Sequence, residues 1–163
     1  MVHLPPFQTL IDAHGRDVHR FLTASVGAAD ADDCYQEMWL AALRAYPALR
    51  DASNLRGWLF TIAHRKVIDH VRARARRPLP AADAGAALGA ALAAAPVAAA
   101  ADGDGDLWAR VAGLPAKQRT AVALRFIADS AYAEIAAVMS ISEPAARRNV
   151  HEGLTRLRKE LPE

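Results

Sequence analysis

Apolar side chains in the first 76 residues recur every three or four positions, which is the spacing of one face of an α-helix. Three helices are predicted. The first covers residues 7–26, the second opens with acids and runs to Pro47, and the third extends from Leu55 to about Arg76. The apolar positions are Phe7, Leu10, Ile11, His14, Val18, Phe21 and Leu22 in the first helix, and Tyr35, Met38, Trp39, Ala42 and Leu43 in the second.

The third predicted helix carries two apolar stripes and one polar edge. At 100° per residue, one stripe contains Leu55, Trp58, Leu59 and Ile62, and the other contains Phe60, Val67, Ile68 and Val71. The polar edge contains Thr61, Arg65, Asp69, Arg72 and Arg76. This helix is therefore expected to lie between neighbouring helices and to expose only its polar edge.

The last third of the chain has the pattern of a helix-turn-helix. "DLWARVAGLP" and "AKQRTAVALRFIAD" are helical, and "SAYAEIAAVM", "SIS" and "EPAARRNVHEGLTRLRKEL" predict a short helix, a three-residue turn and a longer basic helix. Ser142 suits the N-cap of that last helix, and Pro144 is tolerated in its first turn. The apolar stripe of the last helix is Ala146, Val150, Leu154, Leu157 and Leu161.

Composition changes sharply between the two helical parts. Fourteen of the residues 81–101 are alanine, and "ADGDGD" follows. Sequence without large apolar side chains buries too little area to offset the entropy of ordering, so a linker is predicted. The expected fold is all-α, with a helical domain over residues 1–78, an alanine-rich acidic linker over 79–106 and a helix-turn-helix domain over 107–163.

Charge is unevenly distributed along the chain. The formal net charge of the 163 residues is only +2, but residues 62–78, "IAHRKVIDHVRARARRP", carry six basic side chains and one acidic. Such a local positive field attracts phosphates. The alternative is a solvated helix end in which Arg65, Asp69 and Arg72 form ordinary pairs along the helix.

Several classes of protein are disfavoured by missing residues. The single cysteine, Cys34, excludes an intramolecular disulfide and fits a reducing compartment. His64, Asp69 and His70 point in different directions on the helical wheel, which disfavours a metal site. There is no phosphate loop or nucleophile motif, so neither enzymatic activity nor a cofactor is expected. No signal peptide or long apolar run occurs, and a cytoplasmic protein without membrane contact is expected.

The exposed side of the last helix offers candidates for base recognition. Arg148 and His151 lie opposite its apolar stripe, flanked by Arg147. An arginine in the N-terminal part of a recognition helix can bind guanine O6 and N7 in the major groove. A solvated helix face is the plain alternative, because every amphipathic helix has one.

With both halves in view, the chain resembles the extracytoplasmic-function (ECF) group of bacterial sigma-70-type RNA polymerase sigma factors. The resemblance lies in "DADDCYQEMWLAAL", in "GWLFTIAHRKVIDHVRARARRP" and in "LPAKQRTAVALRF…YAEIAAVMSIS…LTRLRKEL". Together, and in this order, these three segments are highly specific. The resemblance implies promoter recognition for core RNA polymerase and help in promoter melting. It also implies partners: the clamp helices of the largest polymerase subunit, the flap of the second subunit, promoter DNA and an anti-sigma factor.

The resemblance also implies a role for individual residues. Asp33, Gln36 and Glu37 would dock on the clamp helices. The loop Tyr46 to Asn54 would capture an unstacked base of the minus-ten element, and the following helix would track the separated strand. The implied minus-ten contacts are Asn54, Arg65, Lys66, Arg72, Arg74 and Arg76, and the implied minus-thirty-five contacts are Arg147, Arg148 and His151.

Four positions depart from the family pattern: Arg65, Ser140, Ala145 and Asn149. They bear on the promoter sequence, and Ser140 must accept a turn that glycine adopts more easily. Two other functions stay open from the residues alone. One is a sigma-like protein-interaction module, and the other is a stand-alone helix-turn-helix regulator.

Overall fold

The computed structural model describes residues 3–76 and 105–160, and all regular structure in these two ranges is helical. The first domain comprises α1 (Phe7–Val26), α2 (Ala28–Ala45), a single 3₁₀ turn (Tyr46–Ala48) and α3 (Leu55–Ala75). The second comprises α4 (Gly105–Ala112), α5 (Ala116–Phe126), α6 (Tyr132–Met139) and α7 (Glu143–Glu160). The predicted all-α, two-domain fold is confirmed. The predicted linker lies outside the described residues except for 105 and 106, which belong to α4.

The core of the first domain is formed where α1, α2 and α3 pack against one another. Phe21 and Phe60 meet edge to face with ring centroids 5.5 Å apart, and both are fully buried. Gly27 joins α1 to α2 with a φ of 88°, a left-handed value that glycine adopts without steric cost. Leu43 corrects the predicted apolar stripe of α2, because it is 49% exposed instead of reaching this core.

Helix α3 lies between neighbours, as its two apolar stripes predicted. Leu59, Phe60 and Val67 are buried, and α3 contacts α1 and α2 on the first-domain side and α6 on the other. Arg65 and Arg72 on the polar edge are exposed. The position of α3 thus leaves a single basic edge for contact with another molecule.

In the second domain, α7 crosses α5 closely and follows α6 after a tight turn. The close crossing occurs at Gly153, where an added Cβ would lie 2.8 Å from Cγ2 of Val122. Ser140 ends α6 with φ 55° and ψ 45°, the left-handed turn expected to favour glycine. Ser142 accepts a hydrogen bond from the Ala145 N–H at 3.3 Å and caps α7, as predicted.

The two domains pack directly against each other. Helix α3 contacts α6, and α1 contacts α4 and α5. One continuous cluster of buried apolar side chains runs from the first domain into the second. The relative position of the domains, which the sequence leaves open, is therefore a closed arrangement in this structure.

Candidate nucleic-acid interface

The basic edge of α3 presents a row of arginines to solvent. Arg65, Arg72 and Arg76 are exposed, and their side chains make no hydrogen bond or ion pair with the described part of the chain. Lys66 is half-buried. Arg74 differs, because its Nη1 lies 3.0 Å from Oδ2 of Asp30 in α2. Three predicted minus-ten contacts are thus unpaired cations on one side of one helix.

Asp30 also faces a histidine, so Arg74 belongs to a small charged cluster. Nε2 of His70 lies 3.2 Å from the same Oδ2 of Asp30 that Arg74 contacts. The carboxylate joins the start of α2 to the end of α3. Arg74 therefore has a structural partner that the other predicted minus-ten arginines lack.

The loop 46–54, which precedes α3, is anchored by hydrogen bonds at its first and last residues. Tyr46 at its start is buried, donates a hydrogen bond to the carbonyl oxygen of Pro5 at 2.6 Å and packs on Phe7. Asn54 at its end caps α3, because its Oδ1 accepts from the Gly57 N–H at 2.8 Å. Between them, the Ser53 N–H hydrogen-bonds to Asp51 and lowers the pKa of that carboxyl. Tyr46 is therefore a core residue, while the middle of the loop is accessible.

Asn54 also contacts the second domain. Its Nδ2 donates a hydrogen bond to Oε1 of Glu134 in α6 at 2.9 Å. The other carboxylate oxygen of Glu134 accepts from the Ala131 N–H at 2.8 Å. Asn54, predicted to contact minus-ten DNA, thus has both ends of its amide engaged within the protein.

The predicted minus-thirty-five residues on α7 are all exposed, but only one of their side chains is held by contacts within the protein. Arg148 and His151 make no side-chain hydrogen bond or ion pair with the described residues. Arg147 is paired with Glu143 at 2.7 Å, and its guanidinium carbon lies 4.6 Å from the ring centroid of Tyr132. Arg148 and His151 are therefore available for base edges, whereas Arg147 is held in place. Sequence reasoning had not assigned this holding role to Tyr132.

The predicted docking residues of α2 are followed on the same helix by two exposed leucines. Asp33, Gln36 and Glu37 are exposed on this helix. Leu40 and Leu43, one and two turns further on, are 52% and 49% exposed. We call these five residues the α2 patch. Sequence reasoning missed the leucines as surface residues, although Leu40 lies four and Leu43 seven positions after Gln36, a spacing that would have placed them on the same side of the helix.

Among the titratable groups, Cys34 and Arg119 are buried and His64 is half-buried. Burial raises the pKa of the Cys34 thiol to about 11, which keeps it in the protonated, unreactive form. Burial lowers the pKa of His64, whose Nδ1 has no partner. Burial also lowers the pKa of Arg119, which is 2% exposed. No group of three or more potential metal ligands occurs in the described ranges.

Two helical domains, one with a basic edge on α3 and the other with a helix-turn-helix in α6–α7, form an arrangement typical of proteins that bind DNA. Comparison with known families gives the class. The family model for Sigma-70 region 2 matches residues 10–77, and that for Sigma-70, region 4, matches residues 104–157. None of the helices in the described ranges has the length and apolarity needed to cross a membrane.

Individual relatives agree with this class. The chain is 31% identical to the probable RNA polymerase sigma-C factor of Mycobacterium bovis, over 80% of this chain and 70% of that protein. It is 27% identical to the ECF RNA polymerase sigma factor SigX of Bacillus subtilis, over 95% and 83% of the two chains. The chain belongs to the ECF group of sigma-70 RNA polymerase sigma factors, which act in promoter-specific transcription initiation.

Solved structures show the same fold. The sigma factor RpoE of Bartonella quintana, in complex with the anti-sigma factor NepR, superimposes with a TM-score of 0.76 at 20% identity, over 94% of each chain. CnrH in complex with the cytosolic domain of CnrY gives a TM-score of 0.65, also at 20% identity, over 94% of this chain and 85% of CnrH.

Proposed function

We propose that the chain recognises promoters for core RNA polymerase through three separate surfaces: the α2 patch, the basic edge of α3 and the exposed side of α7. The observation that carries this proposal is the pair of unpaired cationic surfaces, one on each domain. Arg65, Arg72 and Arg76 form the first, and Arg148 supplies the charge of the second, with the exposed His151 beside it. Charged groups left without internal partners are available to phosphates and base edges.

At the minus-ten element, the α3 edge would follow the backbone of one separated strand. The loop 46–54 would hold an unstacked base, since stacking and backbone charge together retain single-stranded nucleic acid. Binding the open form more tightly than the duplex shifts the equilibrium toward strand separation. This role needs no bond-breaking chemistry, and the chain is proposed to act without catalysis of its own.

At the minus-thirty-five element, α7 would lie in the major groove of duplex DNA. Arg148 in its N-terminal half can donate two hydrogen bonds to guanine, and His151 one turn later reaches a neighbouring base. Arg147, held by Glu143 and the ring of Tyr132, is suited to a phosphate at the edge of the groove. The two adjacent arginines thus have different tasks.

On the polymerase side, the α2 patch would bind the clamp helices of the largest subunit, and the second domain would bind the flap of the second subunit. The α2 acids Asp33 and Glu37 suit a basic surface, and Leu40 and Leu43 add apolar area. A cytoplasmic location is proposed, because core polymerase would be the partner of the chain there. An anti-sigma factor is proposed as a further partner, because RpoE of Bartonella quintana, which has the same fold, is in complex with the anti-sigma factor NepR. Residues 1–78 and 107–163 are the proposed functional units, joined by 79–106.

Run-off transcription with core polymerase on genomic fragments tests the proposal. We expect specific transcripts with the wild-type chain. Arg148→Ala should reduce discrimination at the upstream element, whereas Arg76→Ala should weaken binding to all sequences and lower the salt dependence of binding by about one charge. Arg156→Ala, an exposed arginine at the far end of α7, is the matched control. Core binding without any specific transcript would instead identify an interaction module.

A further inference from the structure

We propose that Glu152, held in position by Gln118, reads a cytosine in the minus-thirty-five element. This inference rests on the proposed placement of α7 in the major groove, and it adds a carboxylate to the basic residues already assigned there. Glu152 is a specificity-determining residue in this arrangement. Gln118, on the neighbouring helix α5, is a positioning residue that acts only through Glu152.

Glu152 lies on the same exposed side of α7 as two of the predicted base contacts. It comes four residues after Arg148 and one after His151, and all three side chains are exposed. At 100° per residue, Glu152 is about 40° from Arg148 and about 100° from His151 around the helix axis. Its carboxylate is therefore part of the surface that α7 presents to DNA.

The carboxylate of Glu152 is held by a neighbouring helix and not by Arg148. Nε2 of Gln118 in α5 donates to Oε2 of Glu152 at 2.9 Å. Glu143 and Arg147, at the same spacing of four, form an ion pair at 2.7 Å. No such pair joins Arg148 to Glu152, and attraction at this spacing is weaker when the basic residue comes first. The hydrogen bond from Gln118 thus keeps the two charges apart, and both remain available to DNA.

Gln118 is a fixed donor whose other amide atom is left unused. The residue is 7% exposed, and a Cβ added to Gly153 of α7 would lie 3.6 Å from the Gln118 Cβ, so the two helices cross closely there. The amide nitrogen must face Glu152, because an ionised carboxylate only accepts hydrogen bonds. Oε1 is buried without a partner, which lowers stability. The hydrogen bond to Glu152 therefore explains this glutamine better than packing does, since methionine would fill the space without an unpaired oxygen.

The free oxygen of the Glu152 carboxylate favours one base. In the major groove, guanine presents two acceptors, adenine presents a donor beside an acceptor, and thymine presents an acceptor and a methyl group. Cytosine presents its N4 amino donor with no acceptor on the same base. A carboxylate that only accepts hydrogen bonds is therefore attracted by cytosine and repelled by guanine.

The spacing of the two charges predicts a readout in two parts. Four residues of helix rise about 6 Å, which is close to two base steps of about 3.4 Å. With a guanine bound by Arg148, the cytosine bound by Glu152 would lie about two base pairs away. The carboxylate also repels phosphates, so it lowers the affinity for all DNA and makes binding depend more strongly on sequence.

Binding of promoter duplexes to the chain in complex with core polymerase tests this readout. Each base pair of the minus-thirty-five element is varied in turn, and relative affinities are measured by competition. We expect one position at which wild type prefers cytosine about 10-fold over the other bases. Glu152→Ala should abolish that preference, and Glu152→Gln should transfer it to adenine, because a glutamine amide pairs with adenine N6 and N7. Glu160→Gln, which removes an exposed acid from the last turn of α7, is the matched control and should keep the preference for cytosine.

The same assay distinguishes this inference from the proposed function. A uniform rise in affinity with Glu152→Ala, and no changed preference at any position, would show that Glu152 only repels phosphates and would overturn the inference. Loss of discrimination with Arg148→Ala would leave the proposed function standing in that case. A wild-type complex without preference at any base pair of the element would refute the proposed function, and this inference with it.

Gln118→Met tests the positioning role. Methionine fills the same space, so the free energy of unfolding in urea should not fall. The released Glu152 can then pair with Arg148, so the preference for cytosine should weaken several-fold and that for guanine about twofold. In a Glu152→Ala background, Gln118→Met should leave the preference for guanine unchanged. A loss of that preference in the double variant, or a full preference for cytosine in the single variant, would contradict the role assigned to Gln118.

Discussion

The exposed leucines of the α2 patch offer a direct test of how the chain docks on polymerase. Leu40→Ala with Leu43→Ala removes apolar area at the C-terminal end of the patch and leaves Asp33, Gln36 and Glu37 in place. Because both leucines are about half exposed, the double substitution should leave the fold intact. Its effect should therefore appear in binding and not in stability.

The size of the effect follows from the exposure. Complete burial of a leucine side chain contributes about 1.5–3 kcal/mol. Leu40 and Leu43 expose 52% and 49%, so covering each by a partner contributes about 0.7–1.5 kcal/mol. The double variant should lose about 1.5–3 kcal/mol of binding free energy, which raises the Kd for core polymerase roughly 10- to 150-fold.

Fluorescence anisotropy of a labelled chain titrated with core polymerase measures this Kd. Leu107→Ala is the matched control, since Leu107 is 43% exposed on α4, in the other domain. The control should bind within about twofold of wild type. An unchanged Kd for the double variant, with an unchanged circular-dichroism spectrum, would refute the placement of the clamp-helix contact on this side of α2.

Three further substitutions test the interior and the recognition helix. Gly153→Ala should lower the free energy of unfolding by up to about 2 kcal/mol in urea titrations, because overpacking against Val122 outweighs the gain in helix propensity; in a Val122→Ala background it should instead stabilise. Burial lowers the pKa of His64, so below pH 6.5 the unfolded chain binds more protons than the folded chain. The free energy of unfolding should therefore decrease as the pH is lowered below 6.5, by at most about 1.4 kcal/mol per pH unit. His64→Gln should flatten that slope in thermal melts. Tyr132→Ala should free Arg147 and weaken duplex binding several-fold in mobility-shift assays, whereas Tyr132→Phe, which keeps the ring, should not.

Local features of the fold were predictable from the sequence. The bounds of α1 and α3 follow from apolar spacing and from the polar residues that end it, and each of these signals acts within a few positions. The Ser142 cap and the left-handed Ser140 turn are likewise local. The separation of α3 into buried stripes and a basic edge also needed no knowledge of its neighbours.

Long-range contacts could not be derived in this way. Leu43 fits the helical spacing of α2 yet lies outside the core, with 49% of its surface exposed. Tyr46 is buried because Pro5 and Phe7 lie beside it. The contact between Asn54 and Glu134 depends on how the domains meet, and no pattern of spacing encodes that. The sequence therefore predicted the charged edge and the buried stripes of α3, but not the contacts that depend on residues distant in sequence.

The left-handed turn at Ser140 has a consequence for the geometry of DNA recognition. Serine in this left-handed conformation is less favourable than glycine by on the order of 1 kcal/mol. Its Cβ also excludes other backbone angles that a glycine at this position could adopt. The angle between α6 and α7 is consequently less free to vary than it would be around a glycine. A recognition helix with a narrow range of approach angles tolerates fewer groove shapes, so this single side chain favours selectivity over adaptability in the DNA that α7 accepts.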